Sequence, residues 1–79
     1  MSINEALEQI KTELENAPRN AYIAEMHLQI IKHSDLLQNV TGQEFCKAVG
    51  LNSSFGTEFS KMRKIAPRLK KAGLDVSKI

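Results

Sequence analysis

Few side chains in this sequence have the chemistry to bind a metal ion or to attack a substrate. His27 and His33 are its two histidines, and Cys46 is its one cysteine. The histidines are six positions apart, a rotation of about 240° along a helix, so they do not point to one metal ion. A single cysteine forms neither a Cys-x-x-Cys pair nor an internal disulfide. The sequence therefore predicts no metal site, no cofactor and no catalytic residue, and Cys46 is expected in the core.

The cations near the C-terminus indicate a different chemistry, which is the binding of a polyanion. If a helix begins near Phe55, a rotation of about 100° per residue collects Phe59, Met62, Ala66 and Leu69 on its inner side. The opposite side begins with hydroxyl groups, continues with cations and carries no acid. With two serines that precede the helix, the candidate nucleic-acid-binding residues are Ser53, Ser54, Thr57, Lys61, Lys64, Arg68 and Lys71.

A face of this composition suits a nucleic acid. Small hydrogen-bonding groups at the start of a helix can reach base edges, and cations further along can bind phosphates. The alternative is a solvated helix whose lysines favour its C-terminal dipole. A solvated face ordinarily mixes both signs of charge, so the absence of acids favours the polyanion.

The formal net charge of +2 conceals two unlike halves of the chain. Residues 1–40 carry a net charge of −3, and residues 41–79 carry +5. The length of 79 residues predicts a single domain, 1–79, with a small core. The asymmetry favours a polyanion or an acidic protein as the partner of the C-terminal half.

Helical signals account for the whole chain. Capping boxes at Ser2–Glu5 and Thr41–Glu44 begin the first and third helices, and Asn20 is the expected N-cap of the second. Gly50 is placed to end the third helix in a left-handed conformation. Pro67 falls inside the last helix and is expected to kink it or to split it into two. The prediction is an all-α, compact bundle of four to five short helices.

Segment 41–69 outlines a short helix, a tight turn and a longer helix. Its inward apolar groups and turn glycine are Phe45, Cys46, Val49, Gly50, Leu51 and Phe59. In this outline the segment resembles the helix-turn-helix family, and residues 55–58 and 61–64 are similar to short bacterial proteins with a helix-turn-helix-like domain. The sequence departs from the family pattern at Gly56, where a branched apolar residue is usual. Phe55, one position earlier, is the candidate to fill that space.

The resemblance implies DNA binding, with the second helix of the pair in the major groove. The expected function is that of a non-enzymatic DNA-binding protein, a small transcriptional regulator of bacterial or mobile-element origin. Its recognition helix starts near Phe55, and its partner is double-stranded DNA. No apolar run approaches the roughly 20 residues of a membrane span, and no signal peptide is visible. A cytoplasmic protein without membrane contact is therefore expected.

A protein-interaction module is the alternative function, as an adapter, an antitoxin-like protein or an inhibitor. Its basic face would dock on an acidic protein partner, or helix 1 would offer its apolar stripe to a partner helix. The spacing of that stripe suits either packing inside the same core or a homodimer seam, and packing inside the core is the commoner use. The stripe consists of Ile3, Leu7, Ile10 and Leu14.

Overall fold

Helix α1 spans Ile3–Asn16 and begins with the predicted capping box. In a computed structural model, which describes all 79 residues, the Ser2 hydroxyl accepts a hydrogen bond from the Glu5 amide at 3.2 Å. The Glu5 carboxylate accepts one from the Ser2 amide at 3.0 Å. The helix ends two residues before Pro18, because a residue that precedes proline avoids the helical region.

Helix α2 spans Tyr22–Lys32, and the N-cap predicted for it is wrong. Asn20 lies inside a single 3-10 turn, Arg19–Ala21, in which the Ala21 amide donates to the Pro18 carbonyl oxygen at 2.9 Å. The backbone at Asn20 therefore already turns, and an N-cap requires an extended residue there. Helix α2 begins without a side-chain cap.

Residues 33–40 connect α2 to α3 through successive turns. The Leu36 amide donates to the His33 carbonyl oxygen at 3.0 Å, and the Val40 amide donates to the Leu37 carbonyl oxygen at 3.2 Å. Leu37 and Val40 are buried in the core. This connection is thus part of the packed structure.

Helix α3 spans Gly42–Val49 and has both of its predicted end signals. The Thr41 hydroxyl accepts from the Glu44 amide at 3.1 Å, and the Glu44 carboxylate accepts from the Thr41 amide at 2.9 Å. Gly50 follows in the left-handed conformation with φ of 78°. Glycine adopts this conformation at no steric cost, so it terminates the helix as predicted.

Helix α4 spans Gly56–Lys71 and is the longest helix of the chain. A 3-10 turn at Ser53–Phe55 leads into it, and the Asn52 side chain caps that turn by accepting from the Ser54 amide. Pro67 lies inside α4 without splitting it. The chain accordingly has four α-helices rather than five, and a final 3-10 turn at Val76–Lys78 follows them.

The four helices enclose one apolar core. Helix α1 packs on α2 and α3, and α4 packs on the same two helices. At the centre, the Phe45 and Phe59 rings stack with centroids 4.5 Å apart. The predicted all-α bundle is confirmed. The core consists of Ile10, Leu14, Met26, Ile30, Leu37, Val40, Phe45, Cys46, Val49 and Phe59.

Candidate nucleic-acid interface

Gly56, which departs from the helix-turn-helix pattern, lies at the contact between α3 and α4. A Cβ atom added to Gly42 would lie 3.0 Å from the Cα atom of Gly56. The two backbones therefore meet where each helix begins. The contact leaves no room for a Cβ atom at Gly42, whereas a Cβ atom at Gly56 would lie 3.6 Å from Gly42, an ordinary contact. Phe55 is partly buried and packs against the core.

The turn before α4 presents the polar candidates to solvent. Ser53 and Ser54 lie in the 3-10 turn, Thr57 lies in the first turn of α4, and all three are exposed. The Asn52 side chain holds the turn by accepting from the Ser54 amide at 2.9 Å. The hydroxyl groups are thus carried by backbone with a defined conformation.

The four predicted cations lie along the outer side of α4, and we call them the cationic face. All four are exposed, and the two ion pairs of the chain are formed by other residues. Because Pro67 does not interrupt α4, the last two cations continue the line of the first two. The cationic face consists of Lys61, Lys64, Arg68 and Lys71.

The one acid in α4, Glu58, is directed away from the cationic face. Its carboxylate lies 3.1 Å from the Nε2 atom of His27, so the pair links α4 to α2. This contact gives His27 a structural partner. Since Glu58 is engaged on the flank, the negative charge of α4 lies beside α2 and not among the cations.

Two further cations of α4 have structural roles that the sequence analysis did not assign. The Arg63 guanidinium lies over the Phe59 ring at 4.8 Å and donates to the carbonyl oxygens of Leu37 and Val40. The Lys70 ammonium forms an ion pair with Asp35 at 2.8 Å. On a helical wheel both residues lie within about 80° of Phe55, on the inner side of α4. This position is the sequence signal that could have predicted their structural roles.

The residues considered as metal ligands or nucleophiles serve the fold. No three histidine, cysteine or acidic side chains are grouped as a metal site would require. His33 is buried at the end of α2, and burial together with the charge of Lys32 lowers its pKa. Cys46 is buried in the core, and burial raises the pKa of its thiol. The thiolate, which is the nucleophilic form, is thereby disfavoured.

Hydrogen bonds fix the charge at the start of α3. The pKa of Glu44 is lowered, first by the hydrogen bond from the Thr41 amide and then by contact with the Thr41 side chain. The Glu44 carboxylate therefore stays ionised at the N-terminus of α3, where a negative charge favours the helix dipole.

The apolar stripe of α1 packs inside the chain. Ile10 and Leu14 belong to the buried core, Leu7 packs against it, and only Ile3 at the start of the helix is exposed. The stripe therefore packs inside the core of the same chain and does not form a homodimer seam. The stripe is occupied and offers no free surface for the proposed homodimer or for a partner helix.

The comparisons agree with the architecture of the chain. A family model described as an HTH-like domain, in which HTH stands for helix-turn-helix, matches residues 2–72. The match includes all four helices and the turn between α3 and α4. No curated protein and no solved structure matches the sequence. None of the helices combines the length and the apolar character that crossing a membrane requires.

Proposed function

The chain belongs to the family of HTH-like domains, and we propose that it binds double-stranded DNA as a small, non-enzymatic transcriptional regulator. In this proposal α4 is the recognition helix and α3 supports it against the DNA backbone. The observation that carries the proposal is the cationic face, which is exposed, free of internal partners and free of acids.

The order of residues along α4 fits the two kinds of contact that duplex DNA offers. Ser53, Ser54 and Thr57 lie where the helix begins, and their hydroxyl groups can both donate to and accept from base edges. The cations follow over about three turns, on the same outer side of the helix, where they can bind phosphates. Base contacts would select a sequence, and phosphate contacts would supply affinity.

An acidic protein surface is the alternative partner for the same cations. The exposed hydroxyl groups at the start of α4 favour DNA, because an acidic surface needs only the cations. The absorbance spectrum of the purified protein distinguishes a DNA partner from an acidic protein partner. With one tyrosine and no tryptophan, the protein absorbs so weakly that co-purified nucleic acid would dominate the ratio of absorbance at 260 and 280 nm.

Titration of a mixed-sequence duplex with the protein tests the proposal, with fluorescence anisotropy as the readout. If the cationic face binds four phosphates, the logarithm of the binding constant falls with the logarithm of salt concentration with a slope of about −3 to −4. The double variant Lys61→Ala with Lys64→Ala should weaken binding roughly 10- to 100-fold at low salt and reduce the slope by about 2.

A matched control removes the same charge elsewhere. Lys11 is exposed on α1 and Arg19 is exposed in the turn before α2, and neither belongs to the cationic face. The variant Lys11→Ala with Arg19→Ala should keep the wild-type slope. Equal losses in the two double variants, or no binding of the wild-type chain to any duplex at low salt, would contradict the proposal.

A further inference from the structure

Three exposed apolar side chains lie at the C-terminal end of α4. Ile65, Leu69 and Leu74 are 43%, 37% and 38% exposed. Ile65 and Leu69 are four residues apart and therefore neighbours on the helix surface. The Leu74 amide donates to the Leu69 carbonyl oxygen at 3.0 Å, which folds Leu74 back onto Leu69 as helix-ending glycine motifs do. We call these three residues the apolar strip.

The apolar strip and the cationic face are neighbouring sides of α4. Lys61, at the border of the cationic face, precedes Ile65 by four residues, a rotation of about 40°. The centres of the two surfaces are about 100° apart around the helix axis. A partner that covers the strip therefore lies beside the bound DNA and not between the DNA and the protein.

We propose that the apolar strip docks on the same strip of a second copy of this chain when both copies occupy one duplex, an inference that rests on the proposed function. The two-fold axis of this contact is perpendicular to the two α4 helices, which therefore run antiparallel. The same axis brings both cationic faces to one side of the pair. A single DNA duplex can then contact both copies at once.

The length of α4 supports this arrangement. From Thr57 to Leu69 there are twelve residues, which span about 18 Å of helix. Two antiparallel helices that meet near Leu69 place their Thr57 residues about 36 Å apart. Successive major grooves on one side of B-DNA are separated by about 34–36 Å, so both helix starts can reach base edges.

The size and the charge of the contact make the dimer dependent on DNA. The strip consists of three partly exposed side chains, far less surface than the roughly 800 Å² per partner that a stable interface buries. In addition, Arg68 and Lys71 of the two copies approach each other near the axis and repel. Phosphates of a bound duplex neutralise these charges, so the second copy gains the apolar contact without the repulsion. We expect a monomer in solution and cooperative binding of two copies to DNA.

Two duplexes separate this inference from the proposed function. A duplex of about 10 base pairs has room for one copy, and one of about 21 base pairs has room for two copies one helical turn apart. Sedimentation should find the free protein monomeric, and the stoichiometry on the long duplex should be two to one. The second copy should bind at least about fivefold more tightly than the first, a coupling of about 1 kcal/mol.

The variant Ile65→Gln with Leu69→Gln should keep the affinity for the short duplex and lose cooperativity on the long one. Leu74→Gln alone, which leaves α4 unaltered, should weaken cooperativity in the same direction. The control is Ile23→Gln with Leu28→Gln, because these side chains of α2 are 41% and 44% exposed and about 140° apart, so they form no strip. This control should remain cooperative, and circular dichroism verifies that each variant is folded.

The outcomes are distinct. If the wild-type chain binds the short duplex but binds the long duplex without cooperativity, the proposed dimer is contradicted. DNA binding by the single chain is then still supported. A dimer that forms without DNA contradicts its dependence on the duplex. Loss of cooperativity in the α2 control contradicts the assignment to the apolar strip. No binding to either duplex contradicts the proposed function and, with it, this inference.

Discussion

Arg63 shows that a cation in a basic helix can belong to the core. Its guanidinium donates to the carbonyl oxygens of Leu37, Gln38 and Val40 and covers the Phe59 ring. It thereby fastens the connection between α2 and α3 to the middle of α4. A guanidinium with five donors in a fixed plane suits several carbonyl groups that lie close together in a loop.

Arg63→Ala should lower the free energy of unfolding by about 2–3 kcal/mol, because it removes the hydrogen bonds to the Leu37 and Val40 carbonyl oxygens and the cation over the aromatic ring. The matched control is Arg68→Ala, five residues further along the same helix, where the side chain is exposed. That change should stay within about 0.5 kcal/mol of wild type. Urea denaturation followed by circular dichroism measures both. Similar midpoints for the two variants would show that the Arg63 contacts contribute little.

At the scale of elements, the two glycines at the starts of α3 and α4 set the distance between these helices. A Cβ atom on Gly42 would lie 3.0 Å from Gly56 Cα and 3.1 Å from its carbonyl oxygen, both of them backbone atoms that cannot move independently. A Cβ atom on Gly56 would instead meet Gly42 at 3.6 Å, an ordinary van der Waals contact. The pair is therefore asymmetric.

This asymmetry predicts opposite effects of the same substitution. Gly56→Ala should leave stability unchanged or raise it by up to about 1 kcal/mol, because alanine favours a helix and fits the space. Gly42→Ala should lower stability by about 1–3 kcal/mol, since the starts of α3 and α4 must separate. Thermal unfolding of both variants provides the comparison. An equal gain from both alanines would contradict the close backbone contact.

The helix ends could be predicted because they depend on local signals. Contacts between residues far apart in the sequence could not be predicted. Both capping boxes and the left-handed Gly50 depend on atoms within five residues of sequence, and all three are present. The exposed line of cations on α4 follows from helical periodicity alone. By contrast, Arg63 reaches carbonyl groups 23–26 residues away, and Gly42 meets Gly56 only once both helices are packed. Asn20 was misassigned because the 3-10 turn after Pro18 displaced the start of α2.

At the scale of the whole molecule, the charge of the sequence separates in space as well as along the chain. Four glutamates lie on α1, whereas the cationic face lies on α4, and each of these two helices packs on α2 and α3. The acids and the cations are therefore concentrated on different helices. Such a distribution orients a small protein as it approaches a polyanion, and the net charge of +2 does not reveal it.

Because the core is small, protonation of one buried side chain, His33, is expected to change the stability of the whole chain. His33 is 6% exposed, its Nε2 atom has no hydrogen-bond partner, and burial lowers its pKa below the usual 6.5. In the unfolded chain His33 binds a proton near that usual value, whereas in the folded chain it stays neutral to lower pH. The unfolded state therefore binds more protons, so stability is full above about pH 6.5 and is lost as the pH falls toward the folded pKa.

Denaturant unfolding between about pH 7.5 and 5.5 tests this expectation, because this window lies above the titration of the carboxylates whose hydrogen bonds cap the helices. The free energy of unfolding should fall with decreasing pH in the wild-type chain. His33→Gln removes the titrating group, so it should remove that part of the slope even if it changes overall stability. His27→Gln is the matched control, since His27 is half exposed and contacts Glu58 on the surface. If the His33 variant keeps the wild-type slope, the acid sensitivity comes from another group.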